Sequence, residues 1–234
     1  MYARLLAFAC LLSCSGLIVR AEPTLAPVAT VGVYLKGDAN ASSISLQSMR
    51  VELRDLMAPT DLNLVWTNAR GTTRVDRLIV VDLRGTCQAG TENVSKFKDH
   101  SALASTAVTD GKVLPFSWVD CTALDQFLRP ALANRSPLER DVIYGRAMAR
   151  LLAHEFYHVL AQTEAHTSSG VSKTSFSIAD LMADYFTFQP DAVALLQGEQ
   201  ALPTLAAAAT HAEDTEVALG LPKDVVSEAA FAAR

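Results

Sequence analysis

The stretch "SPLERDVIYGRAMARLLAHEFYHVLAQ", residues 136–162, is the longest helical pattern in the chain, and its reading decides the fold. Ser136 can cap the helix, Pro137 suits the first turn, and Glu139, three positions after the cap, completes a capping box. Ile143, Met148, Leu151, Leu152, Phe156 and Val159 or Leu160 supply apolar faces, and the alanines between them permit close packing. A helix with that much apolar surface needs a layer to pack on. Upstream, "VATVGVYL" (28–35), "LNLVW" (62–66) and "RLIVVDL" (77–83) read as strands, the last as an apolar run of a buried position. "SLQSMRVELRDLM" (45–57) has three-to-four spacing and reads as a helix.

Residues 84–102 are polar and read as a loop. "ASTAVT" and "VLPFSWVD", separated by Asp110-Gly111, form a hairpin pattern in which Pro115 assigns the second strand to a sheet edge. The expected fold is therefore α+β: a mixed twisted sheet with an edge strand, packed on the long helix, in one domain over 22–190. Polar sequence follows the helix, apolar character resumes in "FSIADLMADYFTF", and 191–234 form an alanine-rich tail, helical or disordered, with no function assigned.

The chain has 234 residues and a formal charge of -5, with no basic run, so neither nucleic acid nor an anionic membrane surface is an expected partner. A monomer is expected. Arg4 followed by the apolar run Leu5 to Val19, with Val19-Arg20-Ala21 before Glu22, predicts a cleaved leader over 1–21 and a secreted or periplasmic product. Cys14 within "LLSC" offers the minority alternative of a lipidated anchor. Leader removal leaves Cys87 and Cys121, most simply one disulfide. Asn40, Asn93 and Asn134 each begin an N-x-S triplet.

Within the helix, His154 and His158 stand four residues apart, so both imidazoles leave one face about a turn apart, within reach of one zinc ion. Glu155 is one position off that face, where a carboxylate can take the proton of a water attacking a carbonyl and deliver it to the leaving amine. This "HEFYH" segment resembles the HExxH helix of zincin metallopeptidases, and the strand-helix-strand pattern upstream is similar to their N-terminal subdomain. The resemblance spans about 28–188 in architecture. It implies zinc as cofactor, a peptide or protein substrate paired with an edge strand, and Glu155 as general base.

The third ligand departs from the metzincin pattern, in which a glycine three residues after the second histidine precedes a third histidine. Here Ala161 and Glu164 occupy those registers, and His166 lies two residues further on. On a straight helix His166 would stand about 12 Å from His158, so the chain must turn for it to bind. His166 is the favoured third ligand; Glu164, Asp180 and Asp184 are the alternatives. By the same resemblance Met182 is a candidate methionine turn, and Tyr185 a candidate phenol beside the reacting oxygen. A non-catalytic zinc-holding protein, closed by a fourth ligand such as Cys87 or Asp180, is the competing expectation.

Overall fold

The computed structural model describes residues 28–68, 74–90 and 102–198. The expected leader, the loop residues 91–101 and the tail beyond 198 lie outside the described residues.

Among the described residues five strands form one mixed sheet: β1 (Thr30–Lys36), β2 (Asn63–Thr67), β3 (Arg77–Arg84), β4 (Ala104–Thr109) and β5 (Lys112–Asp120). Their order is β2-β1-β3-β5-β4, parallel except for β4, which runs antiparallel to β5. The expected hairpin is present, with its strand roles exchanged. β5 is internal, hydrogen-bonded to both β3 and β4, and β4 is the edge. Pro115 is tolerated because the β4–β5 register shifts between Thr106 and Val108, and β3 pairs only from Phe116 onward. A bulge, rather than an edge, accommodates the missing N–H.

The sheet buries one face. Along β3, the expected buried run, Ile79, Val81 and Leu83 are buried while Leu78 is 39 % exposed, so burial alternates along the strand. Helix α1 (Ser43–Met57) connects β1 to β2, and α2 (Cys121–Leu132) follows β5 directly, capped by Asp120. α2 was not foreseen: Asp120 and the spacing of Cys121, Leu124, Leu128 and Leu132 mark it, and Pro130 in its last turn obscures the pattern. The long helix, α3 (Pro137–Ala161), begins with the Ser136–Glu139 capping box read from the sequence.

From Ala147 to Ala161 every residue of α3 is buried, so its second half is enclosed rather than amphipathic. The sheet, α1 and the segment after the helix surround it. α1 approaches so closely at Gly145 that a Cβ there would stand on the Ser45 carbonyl oxygen, 2.8 Å from the Ser48 Cβ. Two short helices follow, α4 (Ile178–Met182) and α5 (Pro190–Gln197). Ala192 and Leu196 of α5 are buried in the core, so packed structure continues past Pro190. Cys87 and Cys121, both fully buried, form the expected disulfide and tie the β3 loop to the start of α2. Among the described residues no helix is long and apolar enough to cross a membrane.

Candidate metal centre

α3 ends at Gln162, a non-glycine residue in the left-handed region with φ 48°. Its backbone N–H bonds the His158 carbonyl, and its side-chain amide donates to the carbonyls of Val159 and Val113. Those bonds hold a conformation that costs a side-chain-bearing residue of order 1 kcal/mol or more. The chain thus makes the turn for which the sequence offered no glycine, and it returns His166 to the helix.

His154, His158 and His166 lie together, their ligand nitrogens all within 4.8 Å of one another. Ring centroids are 5.2 Å apart for His154–His166 and 4.8 Å for His158–His166. The first two are nearly buried and His166 is exposed. His154 Nδ1 is 2.8 Å from the Val171 carbonyl oxygen, and His158 Nδ1 is 2.7 Å from that of Thr163. Carbonyls only accept, so each Nδ1 carries the proton and donates. In the neutral rings both Nε2 atoms are then lone-pair nitrogens, and they face each other at 3.0 Å.

Burial also pushes the His154 pKa down to about 4, against the Val171 bond that favours charge, and burial lowers that of His158. At neutral pH, then, two uncharged nitrogens converge with no hydrogen between them. That arrangement is repulsive alone and is relieved by a shared cation; ligand nitrogens about 2.1 Å from a tetrahedral ion stand roughly 3.4 Å apart. The two Nδ1–carbonyl bonds are of the kind that orient imidazoles for metal binding.

The accepting carbonyls come from a loop with its own bracing. Thr167 N–H donates to the Ser172 carbonyl, the Thr167 and Ser172 hydroxyls meet at 2.7 Å, and Val171 N–H donates to Thr187. Gly170, at φ 73°, lies where a Cβ would stand 2.6 Å from the Thr187 oxygen. Phe176 is also in edge contact with His154, at 5.3 Å between centroids. Met182 is half-buried against the core at the end of α4.

Glu155 is buried beside the cluster, and burial pushes its pKa up to about 7 even though the Thr106 hydroxyl, bonded at 2.7 Å, opposes the shift. Glu155 and the three histidines line a cleft of about 290 Å³, walled on one side by Ala104, Thr106 and Val108 of the edge strand. Glu164 also lines this cleft, although it is not in the three-residue cluster.

The other candidates are engaged elsewhere. The Asp180 carboxylate caps α4 through Ser177 and pairs with Lys173 at 2.6 Å, and Asp184 is exposed outside the cluster. Cys87 is in the disulfide. Tyr185, the expected catalytic phenol, is 92 % exposed and outside the cleft lining, while Phe188 is buried and Phe186 packs partly buried against the core. Thr106, Gln162 and the carbonyls of Thr163 and Val171 were missed by sequence reasoning, and backbone carbonyls leave no side-chain signal to find.

No family model matches the chain, and no curated protein is significantly similar to it.

Proposed function

We propose that the protein is an exported zinc-dependent peptidase in which His154, His158 and His166 hold the metal and Glu155 is the general base. The observation that carries this reading is the pair of converging Nε2 lone pairs, each fixed by an Nδ1–H donated to a carbonyl, with His166 beside them. A bound zinc supplies Lewis acidity toward a carbonyl oxygen and brings the pKa of a water ligand toward neutrality. Everything else is done by the chain.

Glu155 accepts the proton of the attacking water and returns it to the leaving amine, and its burial, which favours the protonated carboxyl, helps it take up that proton. The edge strand β4 beside the cleft offers unpaired main-chain groups to an extended peptide. Cys87 and Asp180, the residues proposed to close the metal's fourth position in a non-catalytic protein, are committed elsewhere, which favours an open position. The disulfide accords with export.

The test is the zinc content and hydrolytic activity of the purified mature chain. One zinc per chain is expected, lost in His154→Ala and retained in Glu155→Gln, with peptide hydrolysis reduced at least about 1,000-fold in the latter and wild-type activity blocked by a hydroxamate. Full activity in Glu155→Gln overturns the mechanism. Zinc binding without hydroxamate binding replaces it with a closed, non-catalytic metal site.

A further inference from the structure

The peptidase reading leaves a part-buried polar chain beside Glu155 unused. Thr106 Oγ1, on the edge strand, is 2.7 Å from Glu155 Oε2, 2.9 Å from Ser117 Oγ and 3.3 Å from the Glu155 carbonyl oxygen. Ser117 is its cross-strand partner on β5 and is 3 % exposed. The Thr106 hydroxyl has a single proton to donate. An ionised carboxylate accepts only, and the carboxylate contact is the shortest of the three, so that proton goes to Oε2. With Glu155 ionised, as a general base must be, Thr106 Oγ1 is left as the acceptor for Ser117, and the chain runs Ser117 O–H to Thr106, Thr106 O–H to Glu155.

We infer that Thr106, backed by Ser117, is a positioning residue for the general base: it clamps one carboxylate oxygen of Glu155 so that the other is aimed into the cleft. The clamp belongs to the strand that also walls the cleft. Thr106 is the last residue of regular pairing before the β4–β5 bulge, so a rigid part of the ladder carries it. Ser117 sits in the same regular stretch, between pairings of β5 with β3 and β4. A carboxylate held at one oxygen loses the rotation that would let it turn away from the reacting water, and positioning of this kind by outer contacts is commonly worth 10- to 100-fold in rate.

This inference rests on the peptidase reading, and the experiment separates their failures. Zinc-loaded wild type, Thr106→Val, Thr106→Ser and Ser117→Ala are assayed against a mixed library of internally quenched peptides, with zinc content and unfolding midpoint measured on the same samples. Thr106→Val keeps the shape of the side chain and removes the hydroxyl. It is expected to lower kcat roughly 10- to 100-fold with KM and zinc content unchanged. Thr106→Ser recovers most of that loss, and Ser117→Ala, which removes only the backing, loses less than Thr106→Val. A Thr106→Val enzyme with undiminished kcat, a loss borne by KM, or no recovery in a folded Thr106→Ser overturns the clamp while leaving the peptidase intact. A folded, zinc-loaded wild type that hydrolyses nothing overturns both.

Discussion

At the level of single residues, the cluster concentrates two opposed titrations in adjacent positions. Burial lowers the His154 pKa from 6.5 to about 4 and raises that of Glu155 from 4.5 to about 7. In the metal-free chain between pH 4.5 and 6.5, folded His154 is already neutral while its unfolded form still binds a proton, so its contribution to stability rises with pH. Folded Glu155 keeps a proton that its unfolded form has lost, so its contribution falls with pH. The two slopes oppose each other. Glu155→Gln removes one of them, and His158, whose pKa is also lowered, adds to the slope that remains. Urea unfolding of the metal-free proteins is therefore expected to show Glu155→Gln gaining about 2 kcal/mol relative to wild type from pH 4.5 to 6.5. Parallel pH profiles would mean that the buried pair does not titrate in this way. The sequence supplied the identities of these groups and their four-residue spacing. It did not supply their environment, because burial depends on Thr106, Val171 and Thr163, which are brought in from β4 and from beyond the helix.

At the level of elements, α3 was legible almost to the residue. Capping box, length and histidine spacing are all local properties, and local chemistry is what a sequence records. The strand roles were less legible. Pro115 truly prohibits one ladder bond, but the chain meets that prohibition with a bulge, and choosing between a bulge and an edge requires knowing which strand lies alongside. The enclosure of α3 was also hidden. Arg150, one turn before His154 and 0 % exposed, pairs with Glu52 of α1 at 2.8 Å and donates to the carbonyls of Asp180 and Ala183, joining α1, α3 and α4 around the histidine-bearing half of the helix. The α1–α3 contact turns on Gly145. In an exposed helix, Gly→Ala gains about 1 kcal/mol from propensity alone. At Gly145 the new methyl would overlap backbone of α1, which cannot move aside as a side-chain tip can. Gly145→Ala is expected to destabilise by about 1–3 kcal/mol net, read from the unfolding midpoint. A stabilised variant would show that α1 rides further from α3 than the structure places it.

At the level of the whole molecule, two staples close different loops of the chain. The disulfide joins positions 34 residues apart, from the end of β3 to the start of α2. The histidine cluster joins the end of α3 to the loop that follows it, since the turn at Gln162 and the carbonyl of Val171 must both be in place for His166 and His154 to meet one ion. The cysteine pairing was readable by counting, and the histidine cluster only in part, because its third member depends on a turn that no glycine announces. The hydrogen bonds of His154 and His158 go to the loop after α3, and the disulfide sits between β3 and α2. Their contributions should accordingly be independent. Reduction is expected to remove about 3–4 kcal/mol, the value for a loop of this length. Chelation should remove about 4 kcal/mol when free zinc had stood a thousandfold above its dissociation constant. In a square of four conditions, oxidised or reduced and with or without zinc, the two losses should add to within about 0.5 kcal/mol. A larger coupling would mean that the β3–α2 loop and the metal loop fold as one cooperative unit, with the core between them transmitting the loss of either staple.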